Sequence, residues 1–272
     1  MSINVNSRFI SLQGERLFFQ EIGEGTHILL IHAGVADSRM WENQIEYLGK
    51  SFHLVAPDLR GFGQSPIPNG PFSYYEDIAG LIDELGLGST WLIGVSFGSR
   101  VAVDFYLAHP EKVRGLILMS PVVSGFKPSE EIEVFEQEEE ELLEAEDLDG
   151  ATELNLRTWV DGPYRSPGQV DPKVRSQIAE MQLSAFNVPI PENAKVKGLD
   201  EPAIDRLEEI RIPTLVIVGE LDLSAVVDHA KFLAEKIPHA RIEVVPSTAH
   251  MLRMEKPEIF NELVQQFVEH SE

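Results

Sequence analysis

Short continuous apolar runs alternate with stretches of helical spacing along most of this chain. The runs at 27–31, 53–56, 90–93, 116–119 and 213–218 have strand length, and unbroken hydrophobicity is what a strand covered on both faces requires. A further strand is expected at 241–245. Residues 8–22 carry two short strand patterns, split by a hairpin-like turn at Gln13-Gly14-Glu15. Between the runs lie helix signals. Asp37-Ser38 offers a cap before Trp41, Ile45 and Leu48, and Ile78, Leu81, Ile82 and Leu85 mark a second helix. Val101, Phe105 and Ala108 mark a third, which Pro110 stops. Helices are expected again at about 225–236 and at 257–268. Strand–helix alternation of this kind predicts an α/β protein, with a mostly parallel central sheet of about eight strands wound by helices.

The alternation breaks at about Ser124 and resumes at about residue 207. The expected organisation is therefore a core from 1–123 and 207–272, with an inserted helical segment at 124–206. The insertion shows no strand pattern. From Glu130 to Asp149 it holds ten Glu, two Asp and no Lys or Arg. Ile132, Phe135, Leu142 and Ala145 lie at helical spacing there, so the acidic residues read as the solvated face of an amphipathic helix.

Composition narrows the function classes. At 272 residues and 43% hydrophobic, the chain can bury one large core. Lys plus Arg is 22 against 45 Asp plus Glu, a formal charge of −23 that repels nucleic acid and anionic membranes. The absence of cysteine removes disulfides, thiolate metal sites and a cysteine nucleophile together. No apolar run approaches the ~20 residues of a membrane span. The first residues lack the basic start and apolar stretch of a secretory signal. A cytoplasmic protein acting on a small molecule is expected.

The chemistry gathers at Gly94-Val95-Ser96-Phe97-Gly98, a G-x-S-x-G turn between an apolar run and a helix. Such a turn exposes the serine hydroxyl and aims the following backbone N–H, that of Phe97, at an incoming oxyanion. A serine needs a base, and the base needs an orienting carboxylate. Both belong just beyond the carboxyl ends of sheet strands. Asp222 follows the strand at 213–218, and His250 follows the one at 241–245. Glu220 and Asp228 compete for the acid, the first two residues early and the second inside the next helix. His27, His53, His109, His229, His239 and His270 read as structural or surface residues. His32 ends a strand beside the expected pocket and should hold the loop that follows it. That loop should supply the second oxyanion donor, Gly34, with Val35 one register away.

With these residues in place the chain resembles the α/β-hydrolase fold superfamily over nearly its full length. His32-Ala33-Gly34 is similar to that family's H-G-x segment, with Ala33 where glycine is usual. Asp58-Leu59-Arg60-Gly61-Phe62-Gly63-Gln64-Ser65 is similar to its D-x-R-G-x-G-x-S loop, in which Arg60 would tie the loop and the glycines permit its turns. The resemblance implies that the insertion is a helical cap over the site, with Trp159 facing substrate or packing in the cap's own core. It implies a serine hydrolase of carboxylic esters that needs no metal or organic cofactor. The same superfamily holds enol-lactonases, carbon–carbon bond hydrolases and a few non-catalytic receptors. The first two would need a cationic anchor for carboxylate-bearing substrates, and Arg157, Arg165 and Arg175 are the candidates. Ser96 speaks against epoxide-hydrolase and dehalogenase chemistry, which in this fold uses an aspartate nucleophile.

Overall fold

The computed structural model describes residues 5–271. Residues 1–4, part of the stretch read above as lacking a secretory signal, and residue 272 lie outside the described residues. In chain order the structure has β1 (Asn6–Leu12), β2 (Glu15–Ile22), β3 (His27–Ile31), α1 (Glu42–Leu48), β4 (His53–Pro57), β5 (Pro71–Phe72) and α2 (Tyr74–Leu85). There follow β6 (Thr90–Val95), α3 (Phe97–Ala108), β7 (Val113–Met119), α4 (Glu130–Glu144), α5 (Leu148–Asn155) and α6 (Pro172–Phe186). The chain ends with β8 (Lys195–Val196), β9 (Thr214–Gly219), α7 (Ser224–Lys236), β10 (Arg241–Val245), α8 (Leu252–Glu255) and α9 (Pro257–Ser271).

Eight strands form one sheet in the order β1-β2-β4-β3-β6-β7-β9-β10. β1 and β2 pair antiparallel, β2 joins β4 antiparallel, and every other pair is parallel. The continuous apolar runs occupy the middle of this sheet. β6 and β9 are buried along their whole length, because side chains from both faces of the strand meet helices. Alternate residues of β3 show the division. Ile28 and Leu30 enter a layer with Ile45 of α1 and Phe260 and Val264 of α9. Leu29 and Ile31 enter the opposite layer with Ile78 of α2, Val101 and Phe105 of α3 and Leu233 of α7. The edge strands β1 and β10 are largely exposed, as their one-sided packing dictates.

The chain leaves the sheet after β7 and rejoins it at β9. In between, α4, α5 and α6 pack successively on one another, and a π-helical turn at Leu156–Asp161 continues from α5. One feature differs from the sequence reading of this stretch as strand-free. The two-residue β8 pairs in parallel with β5, outside the main sheet. Two residues are too few to show any periodicity. Among the described residues no helix is long and apolar enough to cross a membrane.

Candidate active site

Ser96 sits between β6 and α3 with φ 52° and ψ −116°, a backbone conformation unfavourable for a residue with a side chain. The flanking glycines show why the turn can be so tight. A Cβ on Gly94 would lie 2.4 Å from the Gly98 carbonyl oxygen, and one on Gly98 would lie 2.3 Å from that of Ile31. The turn is fastened by the Ser96 N–H donating to the Met119 carbonyl at 2.9 Å and by Ser99 Oγ donating to the Gly94 carbonyl at 2.7 Å. Phe97 opens α3, so its N–H belongs to the helix end whose donors lack intrahelical acceptors.

His250 and Asp222 are brought together from the loops after β10 and β9. His250 Nδ1 donates to Asp222 Oδ2 at 2.9 Å, with Oδ1 at 3.1 Å. Oδ1 also accepts the Leu223 N–H at 2.8 Å, which fixes the carboxylate plane. Both side chains are buried. With its proton committed at Nδ1, the neutral imidazole presents a lone pair at Nε2. The two loops are bonded to each other, since the Leu221 N–H donates to the Thr248 carbonyl at 2.8 Å. Gly219 permits this approach, because a Cβ there would lie 2.4 Å from that same carbonyl oxygen. The competing acids stand elsewhere. Glu220 is exposed and accepts the Ser247 N–H at 3.1 Å, and exposed Asp228 faces Lys231 at 3.3 Å.

Ser96, His250, Gly34, Val35, Phe97 and Trp159 all line one cavity of about 760 Å3, and Asp222 lies behind His250. A Cβ added to Gly34 would meet only Phe97, at an ordinary 3.5 Å, so the surrounding fold does not demand glycine there. What the missing side chain leaves open is the cavity wall. The Trp159 ring lies 4.8 Å from the His250 ring and 5.2 Å from that of Phe135 on α4.

The neighbouring loops are held by buried polar contacts. His32 is fully buried, donates from Nδ1 to the Ala33 carbonyl at 2.8 Å and accepts the Leu59 N–H at Nε2 at 2.9 Å. Burial holds its pKa below the usual histidine range, so it is neutral and serves both bonds. Arg60 is spent tying the loop 58–65 to α2 and to the β1–β2 hairpin. It grips Asp77 with two donors at 3.0 and 3.1 Å and also reaches the carbonyls of Arg16 and Leu12. Phe62 from this loop contacts the rings of His32 and Phe97 and lines the cavity.

None of the three arginines considered as anchors lines the cavity. Arg157 pairs with Glu153 at 3.0 Å, and Arg175 bridges Glu153 and Asp161 at 2.8 and 3.2 Å. Arg165 donates to the carbonyls of Val160 and Asp161, each at 2.8 Å, and pairs with Glu255. Glu255 in turn accepts the N–H of Ala249, the residue before His250, at 3.2 Å.

Four polar residues of the insertion that sequence reasoning did not single out also line the cavity: Glu136, Glu139, Asn155 and Gln182. Burial pushes the Glu139 carboxyl above the usual range, against a hydrogen bond from Asn155. Glu139 is indistinguishable by sequence from its acidic neighbours, so nothing but the packing of α4 on α5 marks it.

Residues 26–257 match the family model described as alpha/beta hydrolase fold. The chain belongs to this family. A 2-hydroxymuconate semialdehyde hydrolase from Pseudomonas sp. strain CF600 is 28% identical to this hydrolase, over 96% of this chain and 93% of its own. A thermophilic esterase from Thermogutta terrifontis superposes on the hydrolase with a TM-score of 0.78 at 26% identity, covering 98% of this chain and 99% of its own. The enol-lactonase of Burkholderia xenovorans LB400 shares the fold, with a TM-score of 0.79 at 23% identity over 96% of this chain and 99% of its own.

Proposed function

We propose that this protein is a serine hydrolase that cleaves carboxylic esters of small or medium neutral substrates through an acyl-enzyme. The observation that supports this most is that Ser96 and His250 line one cavity, with His250 Nδ1 bonded to Asp222. In this reading Ser96 Oγ attacks the acyl carbon while His250 Nε2 takes its proton. Asp222 holds the imidazole in the required tautomer and stabilises the imidazolium. The N–H groups of Phe97 and Gly34 receive the oxyanion, where fixed donors need no reorganisation. The carbon–oxygen bond then breaks and His250 hands the proton to the departing alcohol. Water, deprotonated by His250, attacks the acyl-enzyme, releases the acid and restores Ser96. Residues 124–206 act as a cap, and Trp159 faces the substrate from it.

The same residues could open an enol-lactone or an activated carbon–carbon bond. Such substrates usually carry carboxylates that call for a cation. Arg60 is the one Lys or Arg among the described lining residues, and its donors are engaged by Asp77 and two carbonyls. The neutral-ester reading is therefore preferred, and the likeness to the Thermogutta terrifontis esterase agrees with it.

The test is a fluorophosphonate label followed by peptide mapping, together with turnover of p-nitrophenyl acetate, butyrate and octanoate. Labelling at Ser96 and turnover of about 1 s−1 or more are expected. Labelling at another serine, or an active Ser96→Ala variant, would remove the reading. Labelling without turnover of any ester would favour a slow-turnover sensor.

A further inference from the structure

The insertion turns a group of polar atoms toward the same cavity from three different helices. Glu139 comes from α4, Asn155 from the end of α5 and Gln182 from α6. Asn155, 2% exposed, donates to Glu139 and, at 3.0 Å, to the Ala151 carbonyl. Its amide donors are thus committed within the protein. Gln182 is 4% exposed, and its Oε1 finds no hydrogen-bond partner. A buried amide oxygen without a donor is costly, and a carboxylate facing a cavity is more so. Glu136, one turn before Glu139, lines the same cavity from an exposed position and adds a second negative charge. The group is therefore rich in acceptors, and among the described lining residues no Lys or Arg is left to satisfy it.

We propose that Glu139, with Asn155 and Gln182, forms a subsite for a protonated amine carried by the substrate. The proposal rests on the ester-hydrolase reading for the word substrate and goes beyond its neutral substrates, since it gives the part of the molecule away from the ester a positive charge. An ammonium group has donors and no acceptor, which complements a carboxylate and an amide oxygen. It also replaces the solvation that Glu139 loses on burial. The run of ten Glu and two Asp from Glu130 to Asp149 gives such a cation an attractive field on approach. A carboxylate in the same place would face two negative side chains.

Calorimetric binding separates this from the esterase reading, because it needs no turnover. Hexylammonium chloride and 1-hexanol are titrated into the full chain, and each is then tested as a competitor of fluorophosphonate labelling. Hexylammonium should bind about tenfold or more tighter than the alcohol, the value of a charge-assisted hydrogen bond, and should slow labelling. Glu139→Gln should collapse that preference, and Gln182→Leu should reduce it. Glu140→Gln removes an equal charge from an exposed position and should leave the preference intact. Equal binding of amine and alcohol, no binding of either, or an equal loss in Glu140→Gln would overturn the subsite. Preferential amine binding in a protein that neither labels nor turns over esters would leave the subsite standing and remove the esterase reading. Ester turnover without amine preference would do the reverse.

Discussion

The indole of Trp159 stands 4.8 Å from the imidazole of His250, tilted at 48°, and reaches Phe135 of α4 on its other side. One side chain of the insertion thus touches both the proposed base and the helix above it. Removing it should widen the cavity beside His250 more than it loosens the fold, because the ring is only half-buried. Trp159→Ala is expected to raise KM about tenfold and to shift preference toward bulkier acyl groups, with Trp159→Phe intermediate. Kinetics on a p-nitrophenyl ester series, set beside melting temperatures, check this. Unchanged kinetics with a large fall in Tm would assign the ring to packing alone.

Ser96 combines the proposed nucleophile with a positive φ. Ser96→Ala should lower kcat/KM by on the order of 10⁴-fold or more while keeping the strain. Ser96→Gly should be equally inactive yet more stable than Ser96→Ala by about 1 kcal/mol, because glycine adopts φ 52° freely. Urea denaturation of the two inactive variants measures the difference. Equal midpoints would mean that the backbone relaxes when the hydroxyl is lost.

The hydrogen bond from His250 Nδ1 to Asp222 makes the tautomer depend on one carboxylate. Asp222→Asn keeps the shape but allows the amide to donate to Nδ1, which moves the ring proton to Nε2 and blocks proton transfer. A loss of roughly 10⁴-fold in kcat is expected. Glu220→Gln and Asp228→Asn should stay near the parent rate. A full loss in either of those, with Asp222→Asn active, would move the orienting role.

His229 gives the fold a pH dependence separate from any chemistry. It is buried against Phe126 and Phe232 with no partner for either ring nitrogen, and burial lowers its pKa from 6.5 to about 4. Between those values the unfolded chain binds a proton that the folded one does not. Its contribution is therefore intact above pH 6.5 and is lost as pH falls toward 4, by about 3 kcal/mol in all. Burial raises Asp58, Asp77 and Asp104, which tilts stability the other way, so the comparison must be between parent and variant. His229→Leu should lose less stability than the parent between pH 7 and pH 4.5. Parallel urea midpoints across that range would contradict the assignment.

The parts of this molecule that repeat a physical pattern are the parts its sequence discloses. β3, β6 and β9 announce themselves because burial on both faces forces an unbroken apolar run. Ser96 and Asp222 can be located by counting to the ends of such runs, and His250 by counting from the shorter strand pattern at 241–245. The insertion obeys no comparable rule. α6 mixes polar and apolar residues at positions that face the cavity, the core and solvent, so its periodicity is weak. The β5–β8 pair is two residues long. Glu139 differs from Glu138 and Glu140 only in what packs against it, a property of α5 and not of its own neighbourhood in the chain. Burial of a charged residue inside an acidic run is a tertiary fact.

Glu255 accepts donors from two directions, the guanidinium of Arg165 and the backbone N–H of Ala249. Arg165 also clasps the carbonyls of Val160 and Asp161, on the same turn that carries Trp159. Besides the Trp159–His250 ring contact, the turn that carries Trp159 and the backbone next to His250 are thus joined through one carboxylate. Were that turn to swing outward, it would pull on the peptide next to His250 before the cavity had opened. Access to Ser96 and alignment of the proposed base would then be one mechanical coordinate, with Glu255 as the tooth that engages both wheels.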